Sequence, residues 1–235
     1  MTVDFARVAA VDVGRHFGRR KALSNISFTC RAGEIVGVLG PNGAGKSTLL
    51  SIFATLLAPS AGRVEYGEST AALSGAELRA RLGVLGHDLY LYPELTAREN
   101  LTFFARLYGL AECHRRVADA LEQAGLTSRA DDQVLSFSRG MRQRLALERA
   151  LVHVPRLVLL DEPFTGLDQA SAAALVARLR GLQDRGAIIL LATHDLDVAE
   201  GLLSRALFLR SGRLVGRDEE STSLRSRYQA AISAS

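Results

Sequence analysis

Apolar residues recur along this chain with two periods, and the alternation between them predicts its architecture. Ile26, Phe28 and Cys30 alternate with polar neighbours, the period of a half-buried strand. Glu34 to Leu39 (E-I-V-G-V-L) is instead a short unbroken apolar run ending at a glycine-rich turn, as a strand buried on both faces would be. Lys46 to Leu57 has helical character, and further short apolar runs at Arg81 to Leu85, Leu157 to Leu160 and Ala187 to Ala192 predict more buried strands. Buried β-rich runs separated by helical patterns indicate an α/β fold with a mainly parallel sheet.

Between Leu85 and Leu157 the strand pattern stops. Leu101, Phe104, Ala105 and Tyr108 fall at i, i+3, i+4 and i+7 behind a Thr96-x-x-Glu99 capping box, and Val117, Ala120, Leu121 and Ala124 repeat the spacing. Residues 88 to 155 are therefore expected to form a helical lobe inserted into the α/β core. Near the end, Ala206 to Val215 reads as a hairpin turning at Ser211-Gly212. Arg225 to Ser235 fits either a docking tail or a frayed end. No repeat, heptad array or low-complexity tract interrupts the pattern.

Composition narrows the class. With 235 residues, 48% of them hydrophobic, the chain can bury a sizeable core, which excludes intrinsic disorder and disulfide-stapled miniproteins. The formal charge is only +4 and the charges are interspersed, so a pI near 9.4 argues weakly for nucleic acid, and none is expected as a partner. Cys30 and Cys113 lie far apart without metal-ligand spacing, which favours a reducing compartment and no structural zinc. No apolar run approaches the roughly 18 residues needed to cross a bilayer, and the first twenty residues mix charge with apolar positions, so a soluble cytoplasmic chain is expected. Two lysines, Lys21 and Lys46, stand against 27 arginines, which makes Lys46 conspicuous.

Lys46 belongs to Gly40-Pro41-Asn42-Gly43-Ala44-Gly45-Lys46-Ser47, a G-x-x-x-x-G-K-[ST] loop placed between a predicted strand and a predicted helix and followed by Thr48. Such a loop converges backbone N–H groups on β- and γ-phosphates, with the helix N-terminus adding partial positive charge. Lys46 would neutralise charge between those phosphates, and the Ser47 hydroxyl would ligate Mg²⁺. An ordinary glycine-rich turn is the plain alternative, and the match in its strand-to-helix context outweighs it. Leu157-Val158-Leu159-Leu160-Asp161-Glu162 delivers two carboxylates at a strand end, where open α/β sheets place ligands. Asp161 would hold Mg²⁺ and Glu162 would polarise an attacking water as general base. The run at Ala187 to Ala192 leads into Thr193-His194-Asp195, which puts His194 on the same edge as a γ-phosphate contact.

Phe137-Ser138-Arg139-Gly140-Met141-Arg142-Gln143-Arg144-Leu145 resembles the L-S-G-G-Q signature of ATP-binding cassette (ABC) ATPases. Together with the phosphate loop, Asp161-Glu162, Gly166-Leu167-Asp168 and Thr193-His194-Asp195, it makes nearly the whole chain similar to that family. The resemblance implies a single ABC domain over residues 1–235: a P-loop NTPase core with an N-terminal β subdomain and the inserted helical subdomain. It implies ATP and Mg²⁺ as ligands and a second copy clasped head to tail, with Ser138, Arg139 and Gly140 completing the partner's ATP site and Asp168 linking the two sites. It implies a separate transmembrane permease and a place on the inner face of the cell membrane. Phe17 takes the position of the aromatic that stacks on adenine, with His16 as the alternative ring and a core Phe as the plain one. Arg139 replaces a glycine, adding either a cation near phosphate or a solvent-facing side chain. His87, in Leu85-Gly86-His87-Asp88, replaces a glutamine that senses Mg²⁺ and the attacking water and couples to the membrane partner. That Gly-His step, followed by Glu94-Leu95-Thr96-Ala97-Arg98-Glu99-Asn100-Leu101, resembles the haem-exporter ATPase of cytochrome c maturation. A soluble ABC-type scaffold and a non-hydrolysing nucleotide switch are the rival functions, the latter disfavoured by Glu162.

Overall fold

In the computed structural model, which describes residues 5–67, 75–215 and 223–233, the chain alternates strands and helices. It starts with β1 (Arg7–Phe17), β2 (Arg20–Arg31) and β3 (Ile35–Leu39), then α1 (Lys46–Phe53), β4 (Ala61–Tyr66), α2 (Gly75–Arg79) and β5 (Leu82–Leu85). Three helices follow, α3 (Ala97–Leu107), α4 (Cys113–Gln123) and α5 (Arg139–Leu151), before β6 (Leu157–Asp161), α6 (Gln169–Asp184) and β7 (Ile188–Thr193). The last elements are α7 (Leu196–Glu200), β8 (Arg205–Arg210), β9 (Arg213–Val215) and α8 (Leu224–Ser233).

Two sheets result. β2, β1 and β4 form an antiparallel three-stranded sheet, and the second has the order β5-β6-β7-β3-β8-β9. Its pairings are parallel except at the β8–β9 hairpin. That hairpin turns at Ser211 and Gly212, with φ of 48° and 76°, the double left-handed geometry whose twist matches the flanking strands. β3 and β7 are buried along their whole length, as their unbroken apolar runs require.

Alternate residues of the central strands serve different layers. Val36, Val38, Leu159 and Leu190 pack with Leu49 and Phe53 of α1 and with Val8, Val13 and Ile26 of the small sheet. On the opposite face Ile35, Val158, Leu160, Ile189 and Leu191 meet Ala146 and Leu147 of α5 and Leu175 and Leu179 of α6. Each such aliphatic side chain contributes about 1.5–3 kcal/mol of burial, so the sheet is the rigid base on which loops can be aimed.

The stretch between β5 and β6 is helical among its described elements and has its own apolar cluster, including Leu101, Ala105, Val117, Leu121, Leu126, Phe137 and Leu145. The capping box is present: Thr96 Oγ1 accepts from the Glu99 N–H at 3.1 Å, and Glu99 accepts from the Thr96 N–H at 2.8 Å. The helix expected to reach Leu57 stops at Phe53, because Thr55 turns to a φ of 60°. The C-terminal stretch is a docked helix rather than a frayed end over its described part: Tyr228 packs on Phe208, and Arg210 donates to the Ile232 carbonyl at 2.7 Å.

Candidate active site

The C-terminal ends of β3, β5, β6 and β7 lie side by side: Leu39 is opposite Thr193, Asp161 opposite Ala192 and Leu85 opposite Leu160. Each strand hands the chain to a loop at that edge, so Gly40, His87, Asp161, Glu162 and His194 are gathered by sheet register alone. The Gly40–Ser47 loop wraps from β3 into α1. Gly45, at a φ of 112°, could not be replaced, since a side chain there would stand 2.8 Å from the Ala22 carbonyl oxygen. No side chain caps α1, so the N–H groups of its first turn face outward for an anion.

A cleft of about 330 Å³ opens over this loop. Asn42, Gly43, Ala44, Gly45, Lys46, Ser47 and Thr48 line its floor, with His87, Asp161 and Glu162 on one side and Phe17 at the mouth. Phe17 is 48% exposed, which removes the core reading; His16, one residue away on the strand, is not part of the lining. Two lining residues, Arg20 and Ala22, are invisible to motif reading because the pairing of β2 with β1 brings them there.

Lys46 is buried, and its ammonium donates to the Gly40 carbonyl at 2.8 Å and to that of Pro41 at 3.4 Å, so these two residues orient the lysine rather than line the cleft. The same nitrogen is 3.9 Å from the Glu162 carboxylate. Glu162 has a left-handed φ of 51°, a conformation worth about 1 kcal/mol of strain or more for a side-chain-bearing residue, which turns it out of the strand line. Its Oε2 is 2.8 Å from His194 Nδ1 and accepts from the His194 N–H at 3.3 Å. His194 is exposed and not itself part of the lining, so from the rim it holds the carboxylate from outside while Lys46 faces it from inside.

Burial pushes the Asp161 carboxyl above its ordinary range, and Glu162 beside it adds to the rise; the Ser47 hydroxyl hydrogen bond, Lys46 and His87 pull the other way. A carboxylate and a hydroxyl joined on the cleft floor are hard oxygen donors short of positive charge. No group of three or more His, Cys, Asp or Glu side chains is clustered for a metal among the described residues. Two protein oxygens at a phosphate loop fit Mg²⁺, which takes one or two protein donors and completes its shell with water and phosphate.

Ser138, Arg139, Gly140 and Asp168 are not part of this cleft. Ser138 caps α5, accepting from the Met141 N–H at 3.3 Å, and Asp168 caps α6, accepting from the Ser171 N–H at 2.8 Å. The Arg139 stem lies against Gly166, where an added methyl would approach its Cδ to 3.1 Å, while the residue as a whole stays exposed.

Residues 23–165 match the family model described as ABC transporter. The chain is 40% identical over 205 residues to the Nod factor export ATP-binding protein I of Paraburkholderia xenovorans (strain LB400), a match covering 86% of this chain and 67% of that protein. Among solved structures it resembles the ATP-binding subunit of an ABC transporter at a TM-score of 0.86, with 30% identity over 96% of this chain and 99% of the other. A post-hydrolysis dimer of the ATP-binding cassette MJ0796 bound to ADP and Pi superposes at a TM-score of 0.81, with 30% identity, 90% of this chain and 97% of the other. The phosphate loop, the paired acids and the rim histidine therefore sit in a chain that belongs to the ABC transporter family, as an ATP-binding ATPase subunit working with ATP and Mg²⁺.

Proposed function

We propose that this chain is the ATP-hydrolysing subunit of a transporter, a single cassette over residues 1–235 with its helical subdomain at about 88–155, powering movement through a separate transmembrane subunit. The observation that carries the reading is the meeting of Lys46, Glu162 and the Ser47–Asp161 pair around one cleft, with Phe17 at its mouth. Phe17 stacks on adenine, and the backbone N–H groups of residues 42 to 48 receive the phosphates. Lys46 leaves the Gly40 carbonyl to pair with β- and γ-oxygens. Ser47 and Asp161 would hold Mg²⁺, which neutralises charge on the phosphate oxygens. Glu162, steadied by His194, takes a proton from the attacking water as the bond from the γ-phosphorus to the β–γ bridging oxygen breaks.

Ser138, Arg139 and Gly140 at the α5 N-terminus complete the cleft of a second, head-to-tail copy, and Asp168 links the paired sites. Support comes from their place outside this chain's own cleft and from the dimeric state of the MJ0796 cassette. His87, between the cleft and the helical lobe, relays its state to the permease. No described helix is long and apolar enough to cross a membrane; the place proposed for the chain is peripheral, on the inner membrane face beside the permease. As the finer reading we propose haem export for cytochrome c assembly; its support is confined to Gly86-His87 and the Glu94–Leu101 stretch. A soluble scaffold is the alternative, and co-purification of a membrane subunit from detergent extracts separates the two.

Glu162→Gln should lower turnover at least about 100-fold, the scale of a lost general base, and make the protein elute as an ATP-dependent dimer. Unchanged turnover in a phosphate-release assay would remove the base assignment.

A further inference from the structure

The hairpin of β1 and β2 ends with Phe17 directly opposite Arg20. Directly opposed residues of an antiparallel pair project from the same face, and both of these line the cleft. The two are supported differently. Arg15, two residues before Phe17, lays its guanidinium over the ring at 4.7 Å from the centroid and is itself fixed by donating to the Ala58 carbonyl at 3.0 Å. The Arg20 side chain makes no hydrogen bond or ion pair among the described residues. Its guanidinium reaches over the phosphate loop: a methyl on Gly43 would stand 4.0 Å from Arg20 Nη2.

Charge bookkeeping makes that position consequential. Before a metal ion binds, the cleft lining sets one lysine against two carboxylates, Asp161 and Glu162, and Arg20 brings these side-chain charges to balance. Three other arginines of the small sheet are engaged: Arg7 and Arg63 pair with Glu65, and Arg15 with the Ala58 carbonyl. A guanidinium with its N–H groups uncommitted, on the same hairpin end as the aromatic ring and above the middle of the loop, is placed to bind phosphate in the bidentate way its planar fork allows.

We propose that Arg20 is a nucleotide-binding residue of this cleft, pairing with the phosphate chain from the side opposite Lys46. Arg15 is the positioning residue that braces Phe17 beside it. This rests on the nucleotide reading above and adds a contact that none of its motifs contains.

Titration of MgATP and of adenosine into the wild type, Arg20→Ala, Arg20→Lys and Lys46→Ala, with steady-state ATPase kinetics, tests it. Arg20→Ala should weaken MgATP roughly tenfold, the loss of a charge-assisted pair, and raise KM by more than it lowers kcat. Adenosine affinity should stay level, and Arg20→Lys should recover part of the loss. Equal MgATP affinity in Arg20→Ala and wild type, while Lys46→Ala loses binding, would overturn the Arg20 assignment and leave the nucleotide reading standing. Equal loss of adenosine and MgATP would also overturn it, as damage to the ring platform. A wild type that retains no MgATP would remove both.

Discussion

His153 lies beneath Tyr108, ring centroids 3.8 Å apart and planes 11° from parallel, and its Nε2–H donates to the Leu82 carbonyl at 3.0 Å. That bond leaves Nδ1 buried without a partner, and Arg149 stands nearby. Burial pushes the imidazole down from 6.5 to about 4, Arg149 adds to the fall, and the Leu82 bond opposes it. The folded protein refuses a proton that the unfolded chain accepts, so stability present above pH 6.5 is lost as pH falls toward 4, by at most about 3 kcal/mol. Urea midpoints at pH 7 and 4.5 should therefore diverge in the wild type and converge in His153→Gln; equal divergence in both would assign the acid sensitivity elsewhere. At this scale the sequence was legible where spacing alone defines a residue's task. The Gly40–Ser47 loop, Asp161-Glu162 and His194 could be found that way. Phe17 was named ahead of His16 by its place before Gly18, whereas Arg20 needed the register of the hairpin, which leaves no local mark.

Between elements, α5 and α6 are fastened by the Glu148–Arg178 pair, with contacts of 3.1 and 2.9 Å, and by Arg144 donating to Ser171 at 2.9 Å. These are the helices that begin at Ser138 and Asp168, so the proposed partner-facing residues share one brace. Glu148 is 2% exposed, and burial pushes its carboxyl up although Arg178 pulls it down. Arg178→Ala would strand it, costing about 3 kcal/mol at neutral pH as a broken buried pair does. A group with a raised folded pKa keeps its contribution below its unfolded value and loses it as pH rises, so this deficit should shrink on acidification. Denaturation of Arg178→Ala at pH 4.5 and 7.5 checks it; an equal deficit at both would mean that Glu148 carries no charge in the fold. Elements that hid from the sequence hid for physical reasons. Asp12, with a φ of 50°, and the register shifts around it break the alternation of β1, and β4 is a partly exposed edge with no buried run. The strands of the large sheet were legible because burial on both faces leaves unbroken apolar runs.

For the whole molecule, the strand that launches the phosphate loop is hemmed by β7 and β8, both late in the chain. β3 ends at Leu39, and its first large-sheet neighbour starts at Ile188, about 150 residues on. A ribosome adding roughly 5–20 residues per second needs on the order of ten to thirty seconds to supply it. During that interval β3 lacks both of its large-sheet neighbours, and the glycine loop has only the small sheet beside it. A chain stopped after residue 187 should be cut by protease around residues 35 to 47 and fail to retain MgATP, whereas the full chain should resist; protection of the stopped chain would mean that the small sheet alone can hold the loop. A nascent copy would thereby gain its grip on fuel only after β7 and β8 have been made, so a half-made cassette would not occupy a place beside a complete one.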